Sequence, residues 1–148
     1  MAVIAGMTNS FKKELLEGTH DLADDTLKIA LYTSEADITP NTTVYSASGE
    51  ATSSNYTAGG DALSGNVITQ SGSTVYADFD DPEWTGVTFS NIGGNDNRVR
   101  GALIYNTDGG LNKSIAVLDF GLPITVTSGT FTVRFPAADA NDAIIRIR

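Results

Sequence analysis

The only histidine of the chain, His20, stands in Gly18-Thr19-His20-Asp21, so any Ser-His-Asp relay would have to use it. No Gly-x-Ser-x-Gly elbow accompanies it. It also follows a helical stretch directly, where a capping or solvent-facing role is the commoner one. Carboxylates gather at Asp78, Asp80, Asp81 and Glu83, within DFDDPEW. Strand alternation would point Asp78 and Asp80 the same way, which makes Asp78, Asp80 and Asp81 weak candidates for a hard cation such as Ca²⁺. Their spacing fits no EF-hand loop, and Pro82 marks a strand end, so a solvated acidic strand end is the favoured reading. Asp21, Asp24 and Asp25 form a second acidic group without a pattern. A glycosidase pair needs only to meet in space, and nothing here nominates one. Trp84 with Tyr76 and Phe89 could stack on a sugar, or simply pack core and rim. The glycine-bearing stretches Gly93–Asn97 and Tyr56–Gly60 lead into no helix with a lysine, so they read as turns and not phosphate loops. The expectation is a non-enzymatic chain without a cofactor.

Composition narrows the partners. The 148 residues suit one domain with a real core. Nine Lys and Arg against eighteen Asp and Glu give a net charge of −9, which argues against a nucleic-acid binder. With no cysteine, disulfides and Cys-based metal knuckles are excluded. MAVIAGM lacks the basic start of a signal peptide, and no apolar run is long enough to span a bilayer. A soluble protein with no membrane partner is therefore expected.

The elements that must position these residues are mostly strands. MTNSFKKELLEG (Met7–Gly18) is the exception: Thr8, Asn9 and Ser10 are competent N-caps, Gly18 suits the C-terminal end, and Phe11, Leu15 and Leu16 make an apolar stripe. Two turns of helix need tertiary cover to persist. Asp25–Ser34 then alternates, with Leu27, Ile29 and Leu31 on one face. Thr42–Ala47 reads as a shorter strand, and Gly49–Asn66 as a long loop hiding at most a brief strand near Tyr56. NVITQSG, STVYADFDD, GVTFS, RVRGALIYN, KSIAVLDFG, PITVTSGTFTVRFP and AIIRIR complete eight or nine strands, with turns at Ser71-Gly72, Asn106–Gly110 and Ser128-Gly129. The pattern predicts an all-β fold, an antiparallel β-sandwich of jelly-roll type with one short N-terminal α-helix. Residues 1–8 form an N-terminal arm and 9–148 a single domain, with 142–148 a C-terminal strand or arm.

Both ends offer contact residues. Val3, Ile4 and Met7 lie in the uncharged opening segment, and in NDAIIRIR the pair Ile145 and Ile147 opposes Arg146 and Arg148. Each end can pack on its own domain as an edge strand or dock on a neighbouring subunit. All five arginines (Arg98, Arg100, Arg134, Arg146 and Arg148) fall in the last third, which could make one positive surface for an acidic partner or leave ordinary scattered charge.

The strings NSFKKELLEGTHDL, TLKIALYT, YTAGG, RGALIYN, AVLDFG and FPAADANDAIIRI resemble a recurrent small virion structural protein of tailed bacteriophages and prophages, from Asn9 to Ile147. The resemblance implies a particle component, foremost a capsid decoration (cement) protein in the virion, assembled in the host cytoplasm. Its partners would be the major capsid protein, other virion proteins and further copies of itself. It supplies no catalytic residue, and Gly86–Asn97 matches the pattern least, so a contact specific to this phage would lie there. The alternatives are a tube, collar or adaptor subunit of the tail or neck, and a carbohydrate- or receptor-binding module using Trp84. In this setting the helix is a clamp: Phe11, Leu15 and Leu16 plug the sandwich, Lys12 and Lys13 stay wet, and MAVIAG projects outward.

Overall fold

The computed structural model describes residues 1–148. In chain order the elements are β1 (Gly6–Met7), α1 (Asn9–Leu16), β2 (Leu27–Tyr32), β3 (Asp61–Ala62), β4 (Val67–Ser71), β5 (Thr74–Asp78), β6 (Glu83–Phe89), β7 (Asn91–Ile92), β8 (Asn95–Asp96), β9 (Val99–Asn106), β10 (Lys113–Ile124), β11 (Val126–Thr132) and β12 (Ile145–Ile147). The main sheet has the order β1-β10-β9-β2-β3; beside it stand β11-β6, β12-β5-β4 and the ribbon β7-β8. All of these strand pairings are antiparallel.

Period-two alternation builds the sandwich. Leu27, Ile29 and Leu31 of β2, with Ile104 of β9 and Ile115 of β10, face Trp84, Val87 and Phe89 of β6, Phe131 of β11 and Ile145 of β12. Residues of opposite parity, Ala30 and Tyr32 of β2 and Leu103 and Tyr105 of β9, are buried as well, beneath Ala36, Ile38, Val3 and Tyr45; Val117 of β10 joins them because the β10 register shifts between Ser114 and Ala116. The middle of the main sheet is therefore covered on both sides, by the smaller sheets on one and by a loop and the N-terminal segment on the other.

Helix α1 begins where the sequence predicts. Thr8 caps it, its Oγ1 accepting from the Phe11 amide at 3.4 Å, and Gly18 at φ +76° follows the C-cap Glu17. Phe11 is fully buried and Leu15 half-buried against the core. Leu16 is not part of the clamp; it is 92% exposed. At about 100° per residue the five-residue step from Phe11 leaves the buried stripe, while the three-residue step puts Glu14 on it. Glu14 tolerates that place because Lys113 Nζ sits 2.7 Å from its carboxylate. Lys12 and Lys13 are exposed.

The segment before the helix does not project outward. Gly6 and Met7 pair with Val117 and Ala116 of β10. The Ile4 amide donates to the Ile38 carbonyl at 3.0 Å, and the Ile38 amide to the Ala2 carbonyl at 2.9 Å. The edge of β10 and the main chain of Ile38 would otherwise lack partners, and an uncharged peptide supplies them.

Two other expectations are corrected. Thr42–Ala47 forms only a single bridge, Val44 to Lys113, flanked by the Tyr45 amide donating to the Asn112 carbonyl and the Ser114 amide to the Thr43 carbonyl, both at 2.9 Å. Ser128-Gly129 is no hairpin turn: β11 runs through it beside β6, the register shifts on both sides of Gly129, and Ser128 takes φ +44°. It is a bulge, which the same residue types serve.

Candidate functional site

The one histidine lies in a polar knot between the end of α1 and the β9–β10 turn. Asn106 fixes its state. The Asn106 side-chain oxygen accepts from the Asp108 amide at 2.9 Å, so its NH₂ faces Asp25 Oδ2 at 2.6 Å and His20 Nδ1 at 3.0 Å. His20 Nδ1 is then an acceptor and the ring proton sits on Nε2. Nε2 is buried without a hydrogen-bond partner, with Glu14 Oε1 3.8 Å away. His20 is not a solvent-facing or capping residue, because its ring packs against Phe11 at 5.2 Å. Its Nδ1 is engaged by Asn106.

Burial holds the His20 pKa below its ordinary 6.5, against the opposing pull of Glu14 and Asp25. Between the ordinary histidine range and the lower native value, the unfolded chain binds a proton that the folded chain refuses. Stability must therefore fall as pH drops below about 6.5, down to the native pKa. His20→Asn keeps an acceptor near Nδ1 but does not titrate. Urea midpoints measured between about pH 7 and pH 5 should decline in the native chain and stay flatter in the variant, whatever the variant's overall stability; parallel curves would refute the assignment.

A second knot ties the long loop to the main sheet. The Glu50 carboxylate accepts from Tyr45 Oη at 2.6 Å, from Tyr56 Oη at 2.6 Å and from the Gly59 amide at 2.7 Å. Tyr56 Oη also accepts from the Leu31 amide at 2.9 Å, and Tyr105 Oη donates to the Gly59 carbonyl at 2.7 Å. Tyr45 stacks on Tyr105 with centroids 4.8 Å apart. Burial, with Glu50 adding to it, raises the phenol pKa values of Tyr32, Tyr45 and Tyr56, and pushes Tyr105 up to about 12. The sequence names none of this: the Tyr-Thr-Ala-Gly-Gly string is visible, but its carboxylate partner sits six residues earlier in an irregular loop.

The third feature is a surface. A groove of about 380 Å³ opens between the end of α1 and the β12-β5-β4 sheet, lined by Leu15, Leu22, Ile68, Val75, Ile145 and Ile147. Strand β4 ends its sheet, pairing only with β5 and in unbroken register from Val67 to Ser71. It carries no charge, and Val67 and Ile68 are exposed.

The predicted residues divide among these places. Ile147 is half exposed at the groove, whereas Ile145 is 3% exposed and belongs to the chain's own core; pairing with Ala77 turns it inward. Val3 and Met7 are half-buried against this chain's own clusters, and Ile4 is exposed. Arg134 and Arg148 are exposed and Arg146 half-buried. Arg98 and Arg100 are spent on Asp96 and Asp119, at 2.7 and 2.8 Å, so the five arginines do not make one positive face. Those same pairings hold the Asp96 carboxyl down at about 2 and lower that of Asp119. Asp78, Asp80 and Asp81 do not converge on a cation. Asp80 takes the Ser64 hydroxyl, Asp81 takes the Phe135 amide, and no three metal-ligating side chains gather anywhere. Trp84 is 3% exposed, packed on Tyr56 and Phe131, so it offers no sugar platform. No helix is long and apolar enough to cross a membrane. No protein-family model, curated protein or solved structure matches the chain.

Proposed function

We propose that the chain is a non-enzymatic, adhesive structural subunit of a tailed-phage virion, and within it a decoration protein of the head. The observation that carries this reading is the open β4 edge beside the apolar groove. Proteins that stay apart guard such edges with lysine, proline, bulges or a covering loop. Here a chain of net charge −9 leaves one edge regular, uncharged and flanked by exposed Val67, Ile68, Val75 and Ile147. An extended segment of the major capsid protein could add to that edge, with its side chains in the groove. Each contact can be weak, because many copies on one particle bind together. The particle itself is supplied by the resemblance of the sequence strings.

The test is to add the purified chain to undecorated heads and map the particles. Density in register with the capsid lattice is expected. A single ring at one vertex would move the chain to the neck or tail, and absence of binding would sink the decoration reading. Val67→Lys puts a charge on the open edge at a 53% exposed position; it should lower occupancy while leaving the melting temperature unchanged.

A further inference from the structure

Residues 1–5 occupy a slot on this chain's own sheet, and the slot is shaped for them. Val3 packs against the buried cluster that holds Ala30, Tyr32, Ile38, Leu103 and Val117. The strand beneath makes room through Gly101: a Cβ there would stand 2.6 Å from Val3 Cγ1 and 2.5 Å from the Leu118 carbonyl oxygen. Gly101 is not in a left-handed conformation, so what it supplies is space, not backbone freedom. The main chain of Ile38 holds the peptide on either side of Val3, through the bonds to Ala2 and Ile4.

The hold is slight and sharply bounded. Gly6 has φ +146°, a backbone setting open to glycine and rarely to other residues. Immediately after it Met7 pairs with Ala116, and Thr8, fully buried, donates its amide to the Ile115 carbonyl at 2.8 Å. Before it stand two main-chain hydrogen bonds and one half-buried valine, which must offset the ordering of five residues. Closure on the same chain is therefore marginal. Met1 and Ile4 remain 82% and 51% exposed even in the closed arrangement.

We infer that the slot over Gly101 accepts the N-terminal arm of a second copy of this chain. The occupant is fixed by the slot itself, since the peptide seen to fit it is the one a second copy brings. Exchange keeps the slot contacts of Ala2, Val3 and Ile4, with the chain turning out at Gly6 beside its pairing to Val117. Copies held side by side raise the local arm concentration to the millimolar range, so exchange competes with self-closure. The chains become linked reciprocally when both arms cross, or in a row when each passes to the next. The inference deepens the adhesive reading, but its test needs no capsid.

Because the chain has no cysteine, single cysteines report unambiguously. Val3 and Ile38 are directly bridged neighbours, so a Val3→Cys chain mixed with an Ile38→Cys chain can join them only in trans. Val3→Cys mixed with Leu111→Cys, an exposed position at the β9–β10 turn, measures random collision. A second acceptor, Ile38→Cys lacking residues 1–5, presents the slot empty. The mixed disulfide should exceed the collision control about tenfold and rise with concentration, and the emptied acceptor should yield most. Yields at the control level with both acceptors would overturn the exchange. Head occupancy, measured separately, would be untouched by that result.

Discussion

Gly60→Ala is expected to cost about 4 kcal/mol or more, a large share of the stability of an ordinary domain. Gly60 sits at φ +74° with its backbone against the middle of β2. A Cβ built there would lie 1.7 Å from the Ile29 carbonyl oxygen and 2.9 Å from Ala30 Cα. Both are main-chain atoms of a strand buried on both faces, so neither can give way without breaking the β2–β9 ladder. Gly93→Ala separates the two causes. Its φ is +62°, yet a Cβ would meet nothing within 4 Å, so only the left-handed strain of about 1–2 kcal/mol remains. Urea unfolding followed by tryptophan fluorescence would compare them; equal losses would show that close approach is not the cause.

Glu50→Ala should cost about 3 kcal/mol, less than the sum of its three charge-assisted bonds because the group acts as one network. The loss is not of the carboxylate alone. Two tyrosine hydroxyls and the Gly59 amide are left to find water, in a place where Tyr56 is 7% exposed. Tyr56→Phe should cost about 1–3 kcal/mol, since it strips the Leu31 amide of its acceptor as well as Glu50 of a donor. The double variant should cost less than the two single losses added together, and strict additivity would deny the coupling. There is an alkaline signature too. Phenols whose pKa is raised by folding contribute stability that is full below their ordinary value of 10 and is lost as pH rises above it. Glu50→Ala removes a group that raises these pKa values, so tyrosine ionisation followed by ultraviolet absorbance should begin at lower pH.

These two sites show which kinds of information a chain displays locally. Alternation made β2, β9 and the first half of β10 legible, because burying one parity against an opposing sheet demands period two. The caps of α1 were legible for a similar reason: Thr8 and Gly18 act within a turn of their own position. What was not legible depended on meetings between distant segments. Leu16 reads as core and lies in solvent, while Glu14 takes a buried place because Lys113 arrives from a strand about a hundred residues later. The acidic run at Asp78–Asp81 left a cation open as the lesser reading, yet Asp80 and Asp81 serve different neighbours, Ser64 and Phe135.

The sequence alone thus determined the all-β class, the single helix and its ends, and the absence of disulfides. All of these follow from periodicity, local backbone preference and composition. The tertiary arrangement decided the rest: that Trp84 and Ile145 turn inward, that Glu50 gathers tyrosines, and that β4 is left as an uncovered edge. Whether a side chain is solvent-facing, paired or exposed at an edge is a property of what packs against it, and local pattern does not encode that partner.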